Sequence, residues 1–137
     1  MKMLFLGTGA APSFKIPNSE IAQGQRRCAA LMLDSNILVD VSPQSFDYAK
    51  ELGLDVSGIT DIFLSHTHPD HFSKPALTQF VNAAKAKVNF WCHESAVEYL
   101  HFPEELAEKI NISLPDEKSR RVGQSVAAAS LPKTENK

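Results

Sequence analysis

The chain has 137 residues, with 14 Lys and Arg against 16 Asp and Glu and a formal net charge of −2. That length holds one domain, and 43% hydrophobic with 22% charged residues is ordinary globular composition, which excludes disorder throughout. The near-neutral balance gives no strong nucleic-acid signal and no basic excess for a membrane surface, and the apolar run from Met3 to Leu6 is too short for a signal peptide or a membrane span.

Met3 to Leu6 reads as a buried strand closed by a tight turn at Gly7-Thr8-Gly9. The stretch from Ala10 to Arg27, with Pro12, Pro17 and Gly24, has no periodicity and reads as a loop. Cys28 to Leu33 and Asn36 to Val41 are apolar runs separated by Asp34-Ser35, the pattern of an antiparallel hairpin. Ser42-Pro43 offers an N-cap and a first-turn proline for a helix carrying Phe46, Tyr48, Ala49 and Leu52 and closed by Gly53.

Ile59 to Leu64 is a further buried strand that ends directly at Ser65-His66-Thr67-His68-Pro69-Asp70-His71. Ser73 and Pro75 can start a helix with Leu77, Phe80, Val81 and Ala84 at helical spacing, and Val88 to Trp91 is another strand. Glu94 to Leu100 and Pro103 to Ile110 read as short helices. The chain thus divides into a domain over residues 1–114 and a polar, poorly ordered tail over 115–137, in which Val122 to Leu131 is a strand alternative and Lys118, Arg120 and Arg121 a solvated charge cluster. The alternation of strands and helices gives an α/β class.

Cys28 and Cys92 are the two cysteines, outside any C-x-x-C spacing, so neither a thiolate zinc site nor a disulfide framework is expected. They read as small core residues in a protein of the reducing cytoplasm. Phe90 and Trp91 read as core and Arg26 and Arg27 as a solvated loop pair.

Three of the five histidines and one carboxylate fall between His66 and His71. On an extended backbone His66 and His68 point to one side, and Asp70 and His71 enter the following turn. Imidazole and carboxylate suit Zn²⁺, with Mn²⁺ or Fe²⁺ as alternatives, and two ions about 3.5 to 4 Å apart are compatible with such a split cluster. A polar loop that is merely rich in histidine is the alternative.

The pattern His66-x-His68-x-Asp70-His71 after the strand Ile62-Phe63-Leu64-Ser65 resembles the signature of metallo-β-lactamase-fold hydrolases. Leu6-Gly7-Thr8-Gly9, Arg26-Arg27-Cys28-Ala29-Ala30-Leu31 and Ile37-Leu38-Val39-Asp40 extend the likeness upstream and look most like the ribonuclease Z and cyclic-phosphate phosphodiesterase branch. The resemblance covers about residues 1 to 100. It implies the N-terminal half of an αββα sandwich, with His66 and His68 on a first metal, Asp70 and His71 on a second, and Asp70 also orienting or deprotonating the attacking water. It places Asp40 as a support behind the ligands; on the residues alone, a cap for the Ser42-Pro43 turn is an equal alternative.

Members of that superfamily complete their sites with further histidines and a bridging aspartate from the second half of the sandwich. Downstream of the motif only His93, His101 and Asp116 remain here, and neither histidine is expected to be a ligand. The chain therefore looks truncated to the N-terminal half. The expectation is a metal-dependent hydrolase acting on a small-molecule or nucleotide phosphodiester. The alternative is a non-catalytic half-domain that binds metal weakly, self-associates or pairs with a complementing chain through exposed apolar faces.

Overall fold

A computed structural model describes residues 1–10, 13–97 and 100–114. Six short strands, β1 (Met3–Gly7), β2 (Ala30–Leu33), β3 (Ile37–Val39), β4 (Asp61–Phe63), β5 (Val88–Trp91) and β6 (Ile110–Ser113), lie side by side in chain order in one sheet. The β1–β2 and β2–β3 pairs are antiparallel, whereas β3–β4, β4–β5 and β5–β6 are parallel. Parallel neighbours need crossover connections. Helix α1 (Ser45–Glu51) lies between β3 and β4, α2 (Lys74–Ala83) between β4 and β5, and α3 (Glu94–Val97) and α4 (Glu104–Ala107) between β5 and β6. This is the α/β architecture expected from the sequence.

Period-two alternation divides the sheet into two unlike faces. Met32, Leu38, Ile62 and Phe90 form one register row across β2 to β5, and together with Leu6 and Val88 they are buried beneath the helices. Leu77, Phe80 and Val81 of α2 cover them, and Phe46 of α1 meets the fully buried Phe80 edge-on at 5.0 Å between centroids. The adjacent row, Phe5, Leu31, Val39, Phe63 and Trp91, faces the other way, and Phe5 and Phe63 are 57% and 39% exposed. Phe90 is core as expected, but Trp91 is its neighbour on a strand and so points to the outer face. There it stacks on Phe63 at 5.4 Å, and its indole N–H donates to Asp61 at 2.9 Å. Burial pushes the Asp61 carboxyl up, yet the Trp91, Thr60 and Asn89 donors together hold it below the usual carboxylate range.

Several local expectations are corrected. Gly7-Thr8-Gly9 makes no turn: the chain runs on from β1, and Gly9 bridges Cys28. Glycine is needed for close approach, because a Cβ on Gly7 would sit 2.0 Å from the carbonyl oxygen of Cys28. Ser42 does not cap α1; its hydroxyl donates to the Cys28 carbonyl, and Gln44 occupies the N-cap position without a side-chain cap bond. Gln44 is buried and spends its amide elsewhere, donating to the carbonyls of Ser13 and Ile16 and accepting from the Cys28 N–H, which ties the 13–28 loop to the sheet. Arg27 is not merely solvated: its guanidinium lies 3.8 Å from the Tyr48 ring centroid and donates to Asn18. The helix expected to reach Ile110 stops at Ala107, and Ile110 starts β6 beside Val88.

Other expectations hold. Ser73 caps α2 by accepting from the Ala76 N–H, with proline in the first turn, and Gly53 closes α1 at φ +76°. The expected tail, its strand alternative, Lys118, Arg120, Arg121 and Asp116 lie outside the described residues. Among the described residues no helix is long and apolar enough to cross a membrane.

Cys28 and Cys92 are free and buried, as expected of core residues. Burial pushes both thiols up, Cys92 from 9.0 to about 11. Ellman's reagent at pH 8 should therefore react with neither in the native chain and with both in guanidinium. Between pH 9 and about 11 the unfolded chain has released the Cys92 proton that the native chain keeps, so stability should fall as pH rises through that window. Cys92→Ala should flatten this alkaline limb in urea titrations.

Candidate active site

Strand β4 delivers the histidine motif to its carboxyl end. The Leu64 N–H donates to the Trp91 carbonyl, the last tie to β5, and from Ser65 the backbone leaves the sheet. The His68 carbonyl accepts from the N–H groups of His71 and Phe72, which folds His68-Pro69-Asp70-His71 into a turn with proline at its second position, where a fixed φ is favoured. Phe72 then bridges Val41, whose N–H donates to the His71 carbonyl. The motif is thus held at both ends, by β5 and by the residue after Asp40.

Asp40 organises the cluster. It is buried, with φ +67°, a left-handed conformation that aspartate tolerates better than most residues. One carboxylate oxygen accepts from the Ser65 N–H at 2.7 Å; the other meets the Ser65 hydroxyl at 2.8 Å and His71 Nδ1 at 2.7 Å. A carboxylate can only accept, so His71 carries its proton on Nδ1 and keeps the lone pair of Nε2. The Ser65 hydroxyl, whose O–H donates to Asp40, accepts at 2.9 Å from His66 Nδ1, which leaves His66 Nε2 with a lone pair as well. One buried carboxylate therefore sets the tautomers of two histidines, directly and through a serine.

The imidazoles gather closely. The His66 ring centroid lies 4.7 Å from that of His68 and 4.1 Å from that of His71, so His66 and His68 do lie on one side of the backbone. The Asp70 side chain is largely buried, with Oδ2 at 3.4 Å from His71 Nε2. With His71 neutral these two atoms are both acceptors, an opposition that a cation between them, or a second imidazole proton, relieves. The donor chemistry fits a divalent ion. The donor number does not complete one: among the described residues no group of three or more His, Cys, Asp or Glu side chains surrounds a common point.

Of the remaining histidines, His101 lies on the α3–α4 connection, where its carbonyl accepts from Lys74 Nζ. His93 follows β5 and shares a cleft with His66. Ser65 is the functional residue that sequence reasoning missed; a serine directly before the motif carries no signal until Asp40 is placed beside it.

No protein-family model matches the sequence, and no curated protein matches it. Solved structures do. A long-form ribonuclease Z from yeast superposes with a TM-score of 0.59 at 15% identity, over 82% of this chain and 18% of that one. Human tRNase Z, short form, gives 0.58 at 21% identity, over 86% of this chain and 48% of that one. The chain has the metallo-β-lactamase fold. A diphosphatase of the PhnP family matches with a TM-score of 0.55 at 15% identity, over 84% of this chain and 51% of that one. The metallo-β-lactamase-fold chain thus spans about half the length of the human enzyme and of the diphosphatase. Two of these three neighbours are ribonucleases Z, the branch that the Gly7-Thr8-Gly9 and Arg26 to Leu31 segments resemble; at these identities the likeness is one of fold.

Proposed function

We propose that this chain carries the metal-binding motif of a metal-dependent phosphodiester hydrolase. The observation that carries the reading is the orientation of the imidazoles: Asp40 and Ser65 engage the Nδ1 atoms of His71 and His66 and leave each Nε2 with a lone pair for a metal. His66 and His68 would hold one ion, Asp70 and His71 a second. Zn²⁺ suits this donor set best, with Mn²⁺ or Fe²⁺ as alternatives. Divalent ions in such a site supply Lewis-acid polarisation of a phosphoryl oxygen and a more acidic water. Asp70, with its carboxylate largely shielded from solvent, would orient that water and take its proton. Asp40 accepts from Ser65 and His71 behind the ligands and fixes the rings, and the Pro69 turn holds Asp70 beside His71.

With two protein donors for each ion among the described residues, binding is expected to be weak. Calorimetric titration with Zn²⁺ should show binding that His68→Ala lowers at least about tenfold; equal binding by the variant would sink the assignment. The chain alone should hydrolyse bis(p-nitrophenyl) phosphate barely above background, since a misplacement of about 1 Å can cost roughly a hundredfold in rate. A complementary polypeptide bearing further histidine ligands should raise that rate, and Asp70→Ala should abolish the gain. Robust turnover insensitive to Asp70→Ala would overturn the role given to Asp70.

A second reading, a half-domain that self-associates, draws support from the outer face of the sheet, where Met3, Phe5 and Phe63 are exposed. In analytical ultracentrifugation the wild type should associate with rising concentration, and the Phe5→Ser, Phe63→Ser double variant should not. A monodisperse monomer at all concentrations would remove this reading.

A further inference from the structure

His93 takes no part in the His66 to His71 cluster, and its ring is set the opposite way from those of His66 and His71. The Ser95 backbone N–H donates to His93 Nδ1 at 3.1 Å, and the Ser95 hydroxyl lies 2.8 Å from the same atom. A backbone N–H can only donate, so Nδ1 must accept, and the neutral ring carries its proton on Nε2. An Nε2 that holds a proton has no lone pair for a metal. It is a hydrogen-bond donor on an exposed ring.

His93 lines a cleft of about 270 Å³ that also takes in His66, Thr67, Ser95, Leu64 and Ala96. Among the described residues no carboxylate lines the cleft, although Asp70 lies only a few residues along the motif. Thr67, whose side chain carries a hydroxyl able to donate, lines the same cleft. The volume suits a single tetrahedral oxyanion with a small substituent and falls below the range typical of drug-sized ligands. A hollow whose described wall offers donors, no carboxylate and a metal-type histidine has the character of an anion subsite.

We propose that His93 Nε2–H, with the Thr67 hydroxyl, binds a non-bridging oxygen of the substrate's phosphate in this cleft, beside His66. The inference rests on the phosphodiester reading and adds to it a phosphate-binding residue that is not a metal ligand. Ser95 is the positioning residue, because its backbone N–H fixes which ring nitrogen bears the proton.

The test is a titration of the zinc-free full chain with dimethyl phosphate, followed by ¹H–¹⁵N correlation spectra of the histidine rings. Before ligand, His93 should show the Nε2–H tautomer. On titration its Nε2 resonance should shift and saturate. His93→Ala should weaken dimethyl phosphate binding about tenfold, the scale of a hydrogen bond to a charged group. His93→Gln, which keeps an N–H donor, should stay within about threefold of wild type, and Zn²⁺ affinity should be unchanged in both variants. Loss of about tenfold in Zn²⁺ affinity in His93→Ala would make His93 a ligand and overturn the proposal. So would an Nδ1–H tautomer, the absence of a saturating shift, or equal dimethyl phosphate binding by wild type and His93→Ala. Failure of the hydrolase reading shows separately, as Zn²⁺ binding indifferent to His68→Ala.

Discussion

Asp40→Asn should leave the chain folded and lower its Zn²⁺ affinity by about ten- to a hundredfold, the range seen when a partner behind a metal ligand is lost. Asparagine tolerates the left-handed backbone at φ +67°, and its carbonyl oxygen can still accept from the Ser65 N–H. Its amide nitrogen then faces the Ser65 hydroxyl and His71 Nδ1, where the carboxylate oxygen had accepted from both. An amide N–H directed at Nδ1 forces the His71 proton to Nε2 and removes the lone pair that would meet the metal. Asp40→Ala loses every one of these hydrogen bonds and also places a residue without a side-chain acceptor in a left-handed conformation. It should cost stability as well as affinity, by about 2 to 4 kcal/mol in urea unfolding, since bonds to a charged acceptor count for about 1.5 to 3 kcal/mol each and are not additive. Zinc calorimetry and the ring tautomer in ¹⁵N spectra measure the first effect. Unaltered Zn²⁺ affinity in Asp40→Asn, with His71 still protonated on Nδ1, would refute this account of the cluster.

The elements were legible where one signal dominated. Apolar runs marked β1 to β5, and Ser73 with Pro75 marked the start of α2, because strand burial and helix capping leave local patterns. The histidine motif was legible for the same reason: it places four ligand-type side chains within six residues, directly where an apolar run stops. What sequence could not show were relations between distant segments. Asp40 read equally well as a turn cap, and only the adjacency of β3 and β4 places its carboxylate against Ser65 and His71. Gln44 carries no signal in the sequence and is a buried clamp on three backbone groups. Strand β6 is not legible in the sequence, where Ile110 reads as the end of a helix and Asn111 to Ser113 as no element: Ile110 and Ile112 give only two apolar positions, and the strand depends on pairing with β5. Trp91 was assigned to the core by residue type, although strand alternation from Phe90 already put it on the other face.

Gly7→Ala should be among the most destabilising single substitutions in the chain, for a reason that neither exposure nor φ would reveal. A methyl group there would lie 2.0 Å from the Cys28 carbonyl oxygen and 2.8 Å from that of Arg27. Both are backbone atoms at the entry to β2, so no rotamer change can make room. Relief requires the end of β1 to part from the 27–28 segment. That would break the Gly9 N–H bond to the Arg27 carbonyl and disturb Cys28, whose N–H is held by Gln44 and whose carbonyl accepts from Ser42. Overpacking with flexible neighbours costs about 1 to 3 kcal/mol; rigid neighbours put Gly7→Ala above that range, a large share of the about 5 to 15 kcal/mol that holds an ordinary domain together. Gly24→Ala separates this from a general effect of losing glycine, because a Cβ at Gly24 meets nothing within 4 Å and only the backbone at φ +84° resists it. Its cost should stay near 1 kcal/mol, so circular dichroism melts of the two variants should differ widely. Equal melting temperatures for Gly7→Ala and wild type would mean that β1 does not press against Cys28 at all.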